Sequence, residues 1–284
     1  MAKKEYTNEE LMELVEIEPE LVVPRAFALH WNEIRQPKKP FISIEATQIT
    51  KPVIGRSGFL VPPMLPVDFP YPLDWIKHPL YPLAQISLRD MPPLEGLPES
   101  GYLQFYISGA DGMFGLDTEN PLSQAGSRVL YFTEAEVKRH QTDFSFLVYS
   151  QRDDLSPIWH PHEIQFTRRE EYPGGESIES GMFIEEWMKP IARQYSGIEH
   201  DLLSEIPFCF SNYGHKMGGY PNFCQSDPRQ PGQPEPLKEY ILLFQMDGDK
   251  EIMWGDAGVG NFFIHPDDLA KKDFSKVLYN CDCA

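Results

Sequence analysis

The chain has 284 residues, with 43 acidic against 25 basic side chains and a formal charge of −18. A field of that sign repels phosphate backbones, which sets nucleic acid aside as a partner; it favours a basic partner or simply confers solubility, the commoner reason for such a charge. Four cysteines make no disulfide framework at this length, no run reaches the length of a membrane span, and the first ten residues hold no apolar leader. The expectation is a cytoplasmic protein with reduced thiols and no membrane partner.

Taken in order, Thr7-Asn8-Glu9-Glu10 is a capping box, and Leu11, Leu14 and Val15 continue it as a short helix ending near Pro19. Ala26–Arg35 reads as a second helix. Phe41–Ile49 alternates and reads as a strand. Ser57–Pro82 is dense in proline and aromatics and too apolar to stay solvated, so a packed irregular loop is expected. Leu83–Leu88, Tyr102–Ile107, Val129–Phe132, Phe144–Tyr149 and Glu163–Thr167 read as further strands. Ser177–Gln194 has helical spacing that Pro190 splits, and Glu199–Ile206 is another short helix. Gln225–Leu237 is a long Pro/Gly connection. Tyr240–Phe244 and Asn261–Ile264 are strands, and Pro266-Asp-Asp-Leu269 and Asp273–Tyr279 follow as a short turn or helix and a tail.

The stretch from Asn212 to Ile264 echoes the one from Ser57 to Ile107. Pro63 to Gln85 spans 22 residues and Pro221 to Gln245 spans 24; Gln85 to Phe105 spans 20 and Gln245 to Phe263 spans 18. Each time a proline loop leads to an aliphatic strand carrying a glutamine, then an acidic turn, a glycine and an aromatic strand. This order predicts an internal duplication with Gln85 over Gln245. The fold class is α+β: a β-rich chain of two echoed antiparallel sections, with a helical insert and an N-terminal helical brace. One domain, 1–284, divides into N-terminal helices (1–40), a first β half (41–170), the insert (171–207) and a second β half (208–284).

The chemistry-bearing motifs are few. The chain has no P-loop, no G-x-S-x-G elbow and no H-E-x-x-H. Gly255–Gly260 has the glycine content of a dinucleotide loop, but a β-like Phe262-Phe263-Ile264 follows it rather than a helix. His160-Pro161-His162 invites a metal reading, yet the proline extends the backbone and points the two rings apart. Neither a metal nor a cofactor is expected, and no catalytic residue can be named. Gly218-Gly219 is the sharper candidate. Bare glycines let a ligand approach backbone amides, with Lys216 opposing a carboxylate and His215 beside it; equally, the pair makes a tight hairpin that His215 caps. Trp254-Gly255-Asp256 carries the same two readings. The candidate binding set is His215, Lys216, Gly218, Gly219, Tyr220, Pro221, Gln245, Trp254 and Asp256.

These motifs carry a resemblance. His215-Lys-Met-Gly-Gly-Tyr-Pro221, Leu243-Phe-Gln245 and Met253-Trp-Gly-Asp-Ala-Gly258 resemble the signature of the YwqG-like family of bacterial proteins, a domain of unknown function. Pro63-Met-Leu-Pro66, Pro82-Leu-Ala-Gln-Ile86 and Leu97-Pro-Glu-Ser-Gly-Tyr-Leu-Gln-Phe105 are similar to its first-half segments. Where that family has a glycine pair in the first half, this chain has Leu60 and Val61. The resemblance implies a duplicated β-rich fold and kinship with the conserved domain of programmed cell death protein 2, whose relatives escort a ribosomal protein. The leading functional expectation is a non-catalytic peptide- or protein-binding module, escort- or immunity-like, holding an extended segment of a basic partner in a groove between the halves. The alternative is a small-molecule sensor or enzyme with a polar pocket at His215, Lys216 and Asp256.

Overall fold

The capping box forms as its residues dictate. In the computed structural model, which describes residues 5–34, 38–147, 156–230 and 237–283, Thr7 Oγ1 accepts from the Glu10 amide at 3.2 Å and the Glu10 carboxylate accepts from the Thr7 amide at 2.8 Å. The helix they start, α1 (Asn8–Met12), does not continue through Leu14 and Val15. Leu14–Glu18 is strand β1, which turns at Glu20 (φ 67°) into an antiparallel β2 (Leu21–Pro24). Leu14-Val-Glu-Ile-Glu18 alternates and carries β-branched side chains, which outweighs a helical stripe of three residues. The expected helix Ala26–Arg35 is two short ones, α2 (Arg25–Ala28) and α3 (Trp31–Ile34), with Arg35 outside the described residues. The N-terminal part is thus a hairpin with short helices rather than helices alone.

Residues 1–39, 170–213 and 220–227 make up the first of two units. Its second segment is helical: α4 (Ile178–Phe183), a π turn over Ile184–Met188, α5 (Lys189–Ala192) and α6 (Glu199–Cys209). The π turn falls just before Pro190, whose missing N–H leaves a carbonyl without its intrahelical donor. Leu11, Val23, Phe27 and Ile34 pack with Phe183, Met188, Leu202 and Phe210 in one core, so the N-terminal segment and the helical insert bury each other's apolar faces.

The second unit holds residues 40–169, 214–219 and 228–284. Its strands are β3 (Lys39–Gln48), β4 (Gly58–Phe59), β5 (Tyr81–Ser87), β6 (Tyr102–Ile107), β7 (Ser127–Phe132), β8 (His162–Glu171), β9 (His215–Gly218), β10 (Ile241–Asp247), β11 (Val259–Ile264) and β12 (Leu278–Asp282), with α7 (Pro266–Lys271) between the last two. They form one antiparallel sheet in the order β12-β11-β10-β9-β3-β8-β4-β5-β6-β7. The sheet is nearly closed. Tyr131 of β7 packs against Phe274 at 5.9 Å and under Lys272 at 5.7 Å, and the Gln124 side-chain amide donates to the Val277 carbonyl at 3.4 Å. Inside, Phe105, Phe244 and Phe262 meet with ring centroids 4.5–6.1 Å apart. Such a core of large aromatic rings is stabilised chiefly by the apolar area it removes from water. No helix of the described residues is long and apolar enough to cross a membrane.

Two segments differ from the sequence reading. β9 is a strand the sequence reading leaves unassigned, running into the glycine pair Gly218-Gly219, which takes the expected positive φ, and β12 stands where a tail is expected. In the expected strand Phe144–Tyr149, residues 144–147 are irregular and 148–149 lie outside the described residues.

Strands β4–β7 and β9–β12 are wired alike. Gly58 pairs with Gln85, and Lys216 with Gln245. The β5–β6 register slips between Pro82 and Ala84, and the β10–β11 register slips between Leu242 and Phe244, the same step counted from each glutamine. The Gln85 amide donates to the Arg56 carbonyl at 3.0 Å, and the Gln245 amide to the Gly214 carbonyl at 2.8 Å. Leu60 adopts a left-handed φ of 51°, as Gly218 does at 68°, so the backbone keeps its turn where the motif loses its glycine. Phe105 takes the register of Phe262, one residue from the Phe263 that spacing suggests. The leading strands are exchanged: β3, which precedes β4 in sequence, pairs with β9, and β8, which precedes β9, lies beside β4.

Candidate functional site

Successive side chains of a strand point to opposite faces, and this decides the fate of the His215–Lys216 pair. Because β9 is a strand, His215 and Met217 share one face and Lys216 takes the other. His215 turns inward, its ring edge-on to Phe59 at 5.3 Å. Lys216 is 1% exposed, in register with Gln245 and Ser43, with its ammonium 5.3 Å from the Phe41 ring centre. Gln245 is fully buried beside it. The expected polar pocket is therefore split between two faces of the sheet.

The carboxylate that meets His215 is Asp249. The Asp247 amide donates to His215 Nδ1 at 3.0 Å, so the ring proton sits on Nε2 and is donated to Asp249 Oδ2 at 3.1 Å. Asp249 Oδ1 accepts from the amides of Glu251 at 2.7 Å and Ile252 at 2.8 Å. The hydrogen bond from His215 is the largest cause holding the Asp249 carboxyl down, to about 2, against the opposing effect of its burial. Asp256 is exposed in the turn after Trp254 and is not among the partners of His215.

A pH dependence follows, with its sign fixed by that shift. The folded pKa lies below the unfolded one, so Asp249 contributes stability above pH ~4 that is lost as pH falls towards ~2. Denaturant melts from pH 5 to 2 are expected to show wild-type stability falling more steeply than that of Asp249→Asn. Parallel curves would mean that the His215–Asp249 bond does not form in solution.

The other expected residues are structural in setting. Gly218 and Gly219 both adopt positive φ, 68° and 77°, and a Cβ on Gly218 would stand 2.7 Å from Leu94 Cδ2. Tyr220 and Pro221 belong to the first unit, where the buried Tyr220 amide donates to Glu171 at 2.6 Å and Lys39 lies 4.4 Å from its ring centre. Burial pushes the Tyr220 hydroxyl well above the usual tyrosine range, with Glu179 and Glu171 adding to it. Trp254 is 1% exposed against Gly260 and Phe114. Of the two motif histidines, His160 is exposed and His162 buried. His162 Nδ1 donates to the His160 carbonyl at 2.7 Å, and burial, the largest cause, lowers its pKa. Among the described residues no three His, Cys, Asp or Glu side chains are grouped to hold a metal.

A feature the sequence reading missed lies in the proline-aromatic loop. Its first part packs as expected, with Phe59, Leu60, Val61 and Leu65 buried. Its tip does not. Leu73 bridges to Pro79, and between them Asp74, 3% exposed, accepts from the amides of Ile76 at 3.0 Å and His78 at 2.8 Å and from Ser108 Oγ at 2.9 Å. The tip so fixed holds Trp75 and Ile76 in water, 46% and 48% exposed. An aspartate two and four residues before the bonded amides, between Pro72 and Pro79, is the signal that marks such a turn.

The second unit is a β-rich, nearly closed antiparallel sheet. The model of a domain of unknown function (DUF1963) matches residues 61–283, from the loop after β4 through β12. The chain belongs to that family. No curated protein matches it.

Proposed function

We propose that this protein is a non-catalytic binding module for a protein or peptide partner, in an escort- or immunity-like role, and that it makes contact through the Leu73–Pro79 tip. The observation that carries the proposal is Asp74, a buried carboxylate whose bonds hold a tryptophan and an isoleucine out into water. A rigid exposed tryptophan is the commonest kind of binding hot spot. The charge of −18 favours a basic partner met in the cytoplasm.

The test is capture from native cytosol by wild-type protein and by Trp75→Ala/Ile76→Ala. Wild type is expected to retain a partner in a salt-sensitive way, and the double variant to lose it by about thirtyfold or more, the size of one hot spot, with an unchanged thermal melt. A double variant that captures the same proteins as wild type would sink the assignment of the tip.

Kinship with the YwqG-like proteins and, more distantly, with the conserved domain of programmed cell death protein 2 is part of the same proposal, supported by the ordered motifs from Pro63 to Gly258. So is descent by internal duplication. Its support is the shared register slip, the paired glutamine-to-carbonyl bonds and the left-handed φ at both Leu60 and Gly218. The N-terminal segment is proposed to act as a brace, supported by the core it shares with the helical insert.

A further inference from the structure

We propose that a cleft at the end of β5 in the second unit binds a small organic anion bearing a carboxylate or phosphate group. This site is separate from the Leu73–Pro79 tip and does not depend on it. The cleft has a volume of about 490 Å³, within the range of small-molecule sites.

Its charge runs against that of the chain. Three cations, Arg56, Arg89 and Lys138, line it with two acids, Asp90 and Glu134, whereas the whole protein has 25 basic and 43 acidic side chains. Both acids are engaged: Glu134 pairs with Arg89, and Asp90 accepts from Ser57 Oγ at 3.4 Å. Arg56 and Lys138 have no ion-pair partner among the described residues. Three cations against two carboxylates leave the cleft a net charge of +1, and a planar guanidinium suits carboxylate or phosphate oxygens. The wall is kept bare by Gly55, at φ +84°, where a Cβ would stand 3.5 Å from Met64 Sδ and 3.8 Å from the Tyr102 hydroxyl. Burial first, then Glu134 and Asp90, raises the Tyr102 pKa, against the opposing effect of Arg89.

The equivalent end of β10 supplies an independent comparison. Two residues beyond Gln245 stands Asp247, whose carboxylate accepts from the Gly214 amide at 2.5 Å; two residues further is Asp249, bonded to His215. Counted the same way from Gln85, the positions hold Ser87 and Arg89, and both line the cleft. The second half fills this end with its own carboxylates. The first half has no carboxylate at either position: Ser87 offers a short hydroxyl, and Arg89 a guanidinium that Glu134 holds beside Arg56 and Lys138 in the lining of the cleft.

Calorimetric titration of the full chain with citrate and, separately, inorganic phosphate tests the proposal and tells the two anion types apart, with glucose as a neutral control. At least one anion is expected to bind saturably, more weakly as sodium chloride rises, and about tenfold more weakly or worse in Arg56→Gln/Lys138→Gln. The same titration followed by the methyl resonance of Met64 should move that signal in wild type, which keeps the test independent of how the variant folds. Lack of saturation by either anion at millimolar concentrations, or equal binding by wild type and variant, would overturn it.

Discussion

Gly260→Val is expected to leave the chain unfolded, and Gly260→Ala to melt far below wild type. The position does not need glycine for its backbone angles; it needs the space. A Cβ there would lie 2.4 Å from Trp254 Cζ2 and 2.5 Å from Cη2, well inside van der Waals contact. The indole has no room to retreat, being 1% exposed with Phe114 at 5.6 Å and Tyr279 at 6.5 Å. Overpacking a tight core costs about 1–3 kcal/mol or more, and here the strained pair joins β11 to the turn that precedes it. The check is a denaturant melt of Gly260→Ala alone and with Trp254→Phe, which frees volume at the same spot. Partial recovery in the double variant is expected. A Gly260→Ala protein as stable as wild type would mean that the indole does not pack there in solution.

The second large effect is expected at the two glutamines. Gln85 Oε1 accepts from the Met64 amide at 2.6 Å and from the Gln104 side chain at 3.1 Å, while its amide donates to the Arg56 carbonyl. Leucine at 85 fits the volume but removes three hydrogen bonds, two of them from buried residues: the Met64 amide loses its side-chain acceptor, and the Gln104 amide keeps only the Met64 carbonyl at 2.8 Å. At ~1–3 kcal/mol for each buried group left unsatisfied, Gln85→Leu should lose at least ~2 kcal/mol. In a chain of this size that is a fall of roughly 4–8 °C in melting temperature. Gln245, fully buried and bonded to the Gly214 carbonyl, should respond in the same direction. The pair also probes the internal duplication. If both glutamines serve one inherited role, the two losses should be alike and additive; a neutral Gln245→Leu beside a damaging Gln85→Leu would speak against a shared role.

The strands that alternate or run apolar were legible in the sequence. Tyr102–Ile107 is read to the residue. Strand β9 was not legible, because four residues ending in glycine carry too little periodicity and their partners lie far away in sequence. That omission hides the alternation of β9, which sends His215 and Lys216 to opposite faces of the sheet. Asp249 was missed for Asp256 because adjacency to Trp254 and the glycines stood in for contact. The tip at Trp75 was hidden by composition, since an aromatic among prolines reads as buried until Asp74 is seen bonding the turn.

The exchange of leading strands bears on how the chain reaches its native state. During synthesis β3 emerges early, yet the neighbour of Ile42 is Met217, which leaves the ribosome much later. Until then one edge of β3 has no ladder partner, and β4 likewise awaits His162 and Glu163 of β8. Contacts so distant along the chain carry a heavy loop-closure cost and slow the search. Folding should therefore be largely post-translational, with a long-lived species whose open strand edges invite pairing between chains. A nascent fragment ending before β9 should aggregate or be held by chaperones, even though it contains all of β4–β7.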